Sequence, residues 1–105
     1  MSDSIITKYT QYCLLCGTPA SETHHCLKGV GKRHLAESDG LKIPICRKCH
    51  DEIHRHSNAL NVAVEIIGQL AWERQWIINQ TQLSFDDLSE EAREAFRQRY
   101  GKSFL

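Results

Sequence analysis

The stretch from Cys46 to His54, CRKCHDEIH, sets two kinds of metal chemistry end to end. Its two cysteines close a turn from which both thiolates can reach one ion. The second runs directly into His50 and His54, which sit one helical turn apart on a single face. Upstream, CLLC (Cys13, Cys16) supplies a second pair. Two such pairs a few tens of residues apart provide the four thiolates of a closed tetrahedral site, so the spacing predicts a structural Zn²⁺ on Cys13, Cys16, Cys46 and Cys49. Gly17 suits the tight backbone after the first pair. The competing reading, a redox CxxC, needs a βαβ context that this chain lacks. Cys26 stands apart and reads as a small buried side chain beside the site.

Between the pairs lies ETHHC, Glu22 to Cys26. Neighbours on an extended strand point to opposite faces, so His24 and His25 are expected to do different work. One of them, joined to His50 and His54, gives three imidazoles around a second ion and leaves positions open for water and substrate. Ordinary surface histidines are the alternative, and the adjoining zinc knuckle weighs against it.

Taken together, CLLC, THHC and CRKCHDEIH resemble the HNH endonucleases of the ββα-metal class, in their zinc-stapled CxxC…HH…CxxCHxxxH variety, over Cys13 to about His56. The resemblance implies an α+β fold: two antiparallel strands and a helix around one divalent cation, stapled by the cysteine zinc and followed here by two helices. It implies that His24, His50 and His54 ligate the catalytic ion (Mg²⁺, Mn²⁺, Ni²⁺ or Zn²⁺) and that His25 is the general base that deprotonates water. The chemistry is consistent. Phosphodiester hydrolysis needs a water-derived nucleophile, which imidazole can generate near neutral pH, and stabilisation of phosphate and leaving-group charge, which one cation supplies. The family's middle asparagine has no counterpart before Asn58. Asp39 is the expected replacement in fixing the loop between the strands.

The segment LKGVGKRH reads as a basic, glycine-rich loop in which Lys28, Lys32 and Arg33 neutralise phosphate, with Arg55 further on. A merely solvated charged loop is the bland alternative. The chain of 105 residues has zero formal net charge, so nucleic-acid binding must come from such a local patch rather than from bulk charge. Acidic residues gather instead in FDDLSEEARE.

A single domain is expected, with a lead-in over residues 1–12, a zinc-stapled core over 13–56 and a helical extension over 58–105. SIITKY in the lead-in has strand character. From residue 58 to about 79 the apolar spacing predicts a long helix burying Leu60, Ala63, Val64, Ile67, Leu70 and Ala71, with Gly68 a tolerated flaw. Trp72 and Trp76 are read as packing residues. A second helix is expected to start at Ser89 as N-cap, to bury Ala92, Ala95, Phe96 and Tyr100, and to stop at Gly101. No run is apolar enough to span a membrane, the opening lacks a secretion signal, and five cysteines suit metal in a reducing compartment, so a cytoplasmic location is expected. The expected partner is the DNA backbone, read with limited sequence preference. A second copy of the chain or a larger phage or restriction assembly is the further expectation. The rival function is a non-catalytic zinc-knuckle module for nucleic-acid binding or assembly. A toxin domain cut from a secreted protein is a third, disfavoured by the cysteine usage.

Overall fold

A computed structural model describes residues 3–27, 29, 31–55, 58–80 and 85–105. Among these the order is β1 (Glu22–His25), α1 (Lys32–Asp39), β2 (Lys42–Ile45), α2 (Arg47–Arg55), α3 (Asn58–Gln80) and α4 (Phe85–Tyr100). The protein is a small α+β structure. None of its described helices is long and apolar enough to cross a membrane.

The strands pair antiparallel, with His24 opposite Ile43 and His25 opposite Lys42. Cross-strand partners share a face, so Glu22 and His24 lie with Ile43 and Ile45, while His25 lies with Lys42. A two-stranded sheet this short is not stable in water alone. Cys26, Leu27, Leu41, Ile43 and Ile45 are buried, and with Ile53 of α2 and Val64 of α3 they form the main core. The first CxxC turn docks on the sheet through Leu14, whose amide donates to the Pro44 carbonyl at 3.0 Å.

Several local expectations need correction. SIITKY is not a strand, because the Ser4 hydroxyl accepts the amides of Ile6 and Thr7 (3.1 and 3.3 Å) and bends the chain on itself. The basic loop ends in a helix: Lys32 and Arg33 open α1, which buries Ala36 and is closed by the left-handed Gly40. Lys28 lies outside the described residues.

Helix α3 matches its expected span, and Val64 is buried with Leu60 and Ala71 packed against the same core, but the inward face is wider and more polar than expected. Ala63 and Leu70 are exposed, and the positions facing inward include Asn61, Gln69 and Glu73. Hydrogen bonds offset the cost of burying Gln69 and Glu73. Gln69 Nε2 donates to Glu73 and Ser103 at 2.7 and 3.0 Å, and Gln69 Oε1 accepts the Phe104 amide at 2.7 Å. Helix α4 begins at Phe85, so Ser89 lies inside it rather than capping it. The extra turn brings Leu88 into a small cluster with Ile77, Ala92 and Trp76. Elsewhere α3 meets α4 through Trp72, edge-on to Phe96 at 5.5 Å with Phe96 stacked on Tyr100 at 4.6 Å, and through the Arg93–Glu73 ion pair at 3.3 Å. Both tryptophans therefore pack, as expected, and Gly101 follows the last residue of α4.

Candidate metal centre

The CLLC turn is closed by two backbone bonds, Gly17 N–H to the Cys13 carbonyl at 2.9 Å and Cys13 N–H to the Thr18 carbonyl at 2.6 Å. Cys46 ends the approach from β2, and Cys49 sits in the first turn of α2, where its amide faces the Cys46 sulfur at 3.5 Å. All four Sγ atoms fall within 4.8 Å of one another. A tetrahedron with metal–sulfur bonds of ~2.3 Å has sulfur–sulfur edges of about 3.8 Å. Cys16 Sγ and Cys46 Sγ are 3.6 Å apart, which fits that edge.

The electrostatics agree with the geometry. Burial opposes ionisation of Cys13, yet amide donors from Cys46, Cys16 and Leu15 bring its pKa below the usual thiol value. The Thr18 hydroxyl and amide lower Cys16, and the Cys49 amide lowers Cys46. Burial and the three neighbouring thiols push Cys49 the other way. The cluster draws toward negative charge that its own sulfurs cannot share, and a zinc ion held by the four would relieve it. Among the described residues Cys26 belongs to no such group. It is buried, and burial pushes its thiol up to about 12, in line with the expected passive role.

Farther along α2, His50 and His54 meet His24 from β1. The ring centroids are 5.2 Å apart for His24 and His50, 5.6 Å for His24 and His54, and 4.7 Å for His50 and His54. One nitrogen from each ring lies within 4.8 Å of the others, so the three can converge on a cation. The pleat separates the two neighbours as expected: His24 is only 5% exposed, while His25 turns away and bonds Glu37 through Nε2 at 2.8 Å. A cavity of about 270 Å³ is lined by Thr23, His24, His25, Leu27, Arg33, His50 and His54.

The remaining basic residues diverge. Arg33 lines this cavity, but Lys32 extends over the Phe104 ring at 5.9 Å. Arg55 is exposed at the end of α2, away from the cavity wall.

Two carboxylates escaped the sequence reading. Glu22 accepts a hydrogen bond from His50 Nδ1 and another from Arg47 at 3.1 Å, and these donors, His50 first, hold its carboxyl below the usual range. With Nδ1 engaged, Nε2 of His50 is the nitrogen free for a metal. The signal was present in the strand period, because Glu22 and His24 share a face. Glu37 carries no comparable signal, since it follows the segment expected as a basic loop and no helix is expected there. Its two oxygens take Lys42 Nζ at 2.7 Å and His25 Nε2 at 2.8 Å.

Asp39 lies in the connection between the strands, as expected, but anchors it outward. It accepts Trp72 Nε1 at 3.0 Å, Tyr100 Oη at 2.6 Å and the Arg99 guanidinium at 2.6 and 2.8 Å. The connection is tied to α3 and α4 rather than closed on itself.

Fold and site together define a small α+β protein with a cysteine cluster able to hold zinc beside a compact histidine group. The chain belongs to the family described as "Protein of unknown function (DUF968)", which matches residues 6–66 and so takes in both clusters. It is also similar to the uncharacterized protein YdfU of Escherichia coli (strain K12), with 41% identity over 46 residues. That match covers 43% of this chain and 13% of YdfU, so the chain corresponds to a small part of that relative's length. No solved structure matches it.

Proposed function

We propose that this protein is a metal-dependent endonuclease of the HNH, ββα-metal type, hydrolysing DNA phosphodiester bonds. The observation that carries the reading is one cavity shared by His24, His50 and His54, by His25 and by Arg33. In this reading β1, β2 and α2 correspond to the two strands and the helix of that class, and the cysteine cluster would staple them with zinc.

In this reading His24, His50 and His54 hold one divalent cation, which when bound supplies Lewis-acid stabilisation of the phosphate and the leaving oxygen. The chain does the rest. His25 takes a proton from water as its oxygen bonds to phosphorus. The bond to the 3′ oxygen breaks, and that oxygen takes a proton from solvent. Arg33 neutralises and orients the phosphate, and its guanidinium can engage two oxygens at once. The narrow cavity and the absence of bulk positive charge suit backbone contacts with little base reading.

Plasmid and single-stranded DNA incubated with Mg²⁺, Mn²⁺, Ni²⁺ or Zn²⁺ provide the test. His25→Ala should keep both metal sites and lose roughly 10²- to 10⁴-fold in rate, the usual worth of positioned proton transfer. His24→Ala should instead weaken the second ion, with part of the cleavage returning at excess metal. Nucleic-acid binding without cleavage under any of the four ions would replace this reading with the non-catalytic binding module.

A further inference from the structure

His25 and Lys42 are cross-strand partners in the β1–β2 register, so their side chains leave the sheet on the same face. Above that face runs α1, whose Glu37 places one carboxylate oxygen on each of them, 2.8 Å from His25 Nε2 and 2.7 Å from Lys42 Nζ. We propose that Glu37, clamped by Lys42, is the positioning residue that fixes the ring and tautomer of His25. The inference rests on the reading of His25 as the base that activates water.

Three observations support it. The bridge spans three elements, since α1 carries the carboxylate while β1 and β2 carry its two donors, so the imidazole is held from outside its own strand. The two donors are mostly buried, His25 and Lys42 having side chains 15% and 14% exposed, while Glu37 between them is 32% exposed, so water reaches the bridge mainly from the Glu37 side. Lys42 first and His25 second hold the Glu37 carboxyl down to about 2, so it is ionised and can only accept. A hydrogen bond from a neutral imidazole to an obligate acceptor places the ring proton on Nε2 and leaves the lone pair on Nδ1. Glu37 thus selects which nitrogen of His25 can receive a proton. Lys42 keeps the acceptor charged and aimed. Asp39, two residues on, ties the same helix to Trp72, Arg99 and Tyr100, so the platform under Glu37 is itself braced.

The test pairs ¹⁵N imidazole spectra of the zinc-loaded protein with cleavage rates at saturating metal, for wild type and for Glu37→Gln, Glu37→Asp and Lys42→Met. The His25 signals are assigned by their loss in His25→Ala. Wild type should show His25 as the Nε2–H tautomer. Glu37→Gln should give a mixture of tautomers and a rate lower by roughly 10²-fold or more, the scale on which an orienting carboxylate behind a catalytic imidazole acts. Its zinc content and its affinity for the second ion should stay unchanged. Glu37→Asp should recover part of the rate. Lys42→Met leaves the carboxylate in place and loosens it, giving a smaller drop, and it keeps the test open if the glutamine variant does not fold. Should Glu37→Gln fold with one Nε2–H tautomer and the wild-type rate, the proposal is overturned; for Lys42→Met the same result removes the clamp. A wild-type protein that cleaves nothing would sink the nuclease reading alone, because the spectra still show whether Glu37 sets the tautomer.

Discussion

Gly68 on α3 approaches Cys26 so closely that a Cβ on the glycine would stand 2.7 Å from the Cys26 Cβ. The helix reaches the end of β1 only because that position carries no side chain. A glycine in mid-helix ordinarily costs about 1 kcal/mol relative to alanine, so propensity alone predicts that Gly68→Ala stabilises the protein. Close approach predicts the opposite sign. Overpacking of this kind typically costs about 1–3 kcal/mol, so Gly68→Ala should lower the denaturant midpoint. Cys26→Ala should not rescue it, since the clash is with Cβ, whereas Cys26→Gly should recover part of the loss. A more stable Gly68→Ala protein would show that α3 can move away from β1 without cost.

The cysteine cluster should contribute directly to folding. Cys46→Ser should lose zinc and ordered structure together, read by metal content and circular dichroism on one sample. In the zinc-loaded wild type, thiol reagents should find Cys26 unreactive, because burial holds it as a thiol near pKa 12. Chelation should release all five thiols, Cys26 among them, as the fold opens. Rapid alkylation of Cys26 in the folded, metal-loaded protein would contradict its burial.

Glu22 orients His50, so Glu22→Gln should act on the histidine site and spare the cysteine site. The expected effect is a weakening of the second ion by about 10- to 100-fold, measured by calorimetric titration, with zinc per chain unchanged. Equal affinity in the variant and the wild type would reduce Glu22 to a surface partner of Arg47.

Acid should erase the contribution of Glu37. Its carboxyl titrates at about 2 in the folded protein, below the usual carboxylate range, because Lys42 and His25 donate to it. A lowered folded value means that the stabilisation is complete above the unfolded pKa and fades as pH falls through the folded one. The stability gap between wild type and Glu37→Gln should therefore stay constant above about pH 5 and narrow below it. Zinc loss in acid would affect both proteins, so the comparison lies in their difference. A gap that does not narrow would place the effect of Glu37 in packing rather than charge.

Arg33 and Lys32 are adjacent in sequence and part in space. Arg33→Ala should reduce the salt slope of DNA binding by about one and weaken all sequences alike. Lys32→Ala should leave the slope nearly unchanged, since its ammonium sits by Phe104 instead of in the cavity. The reverse pattern would move the DNA path to the far side of α1.

The sequence made the metal chemistry legible because ligand spacing is local. CxxC, the histidines at i and i+4 and the alternation of His24 with His25 all follow from the periods of turn, helix and strand. Relations that depend on tertiary pairing were less visible. Glu37 reaches His25 from a helix not expected there, because Lys32–Asp39 is short and follows two glycines that signal irregular chain. The inward face of α3 is legible at Leu60, Val64 and Ala71 but not at Gln69 and Glu73, because these are satisfied by residues from elsewhere in the chain and hydrophobic periodicity does not register such positions. Ser89 looked like a cap because a serine followed by acids is a start signal, yet the need to bury Leu88 carried the helix one turn further back.

The three donors gathered on Asp39 have a practical consequence for anyone seeking a minimal fragment that carries both clusters. A peptide cut after Arg55 would keep every cysteine and every histidine of the two clusters, and would still lack Trp72, Arg99 and Tyr100. Asp39 would then face water, and α1 would keep only its packing through Ala36 and the Glu37 bridge to the sheet. Such a fragment should load zinc and yet hold Glu37 loosely over His25. In this protein the distant helices serve as the far abutment of an arch whose keystone sits behind the histidine pair.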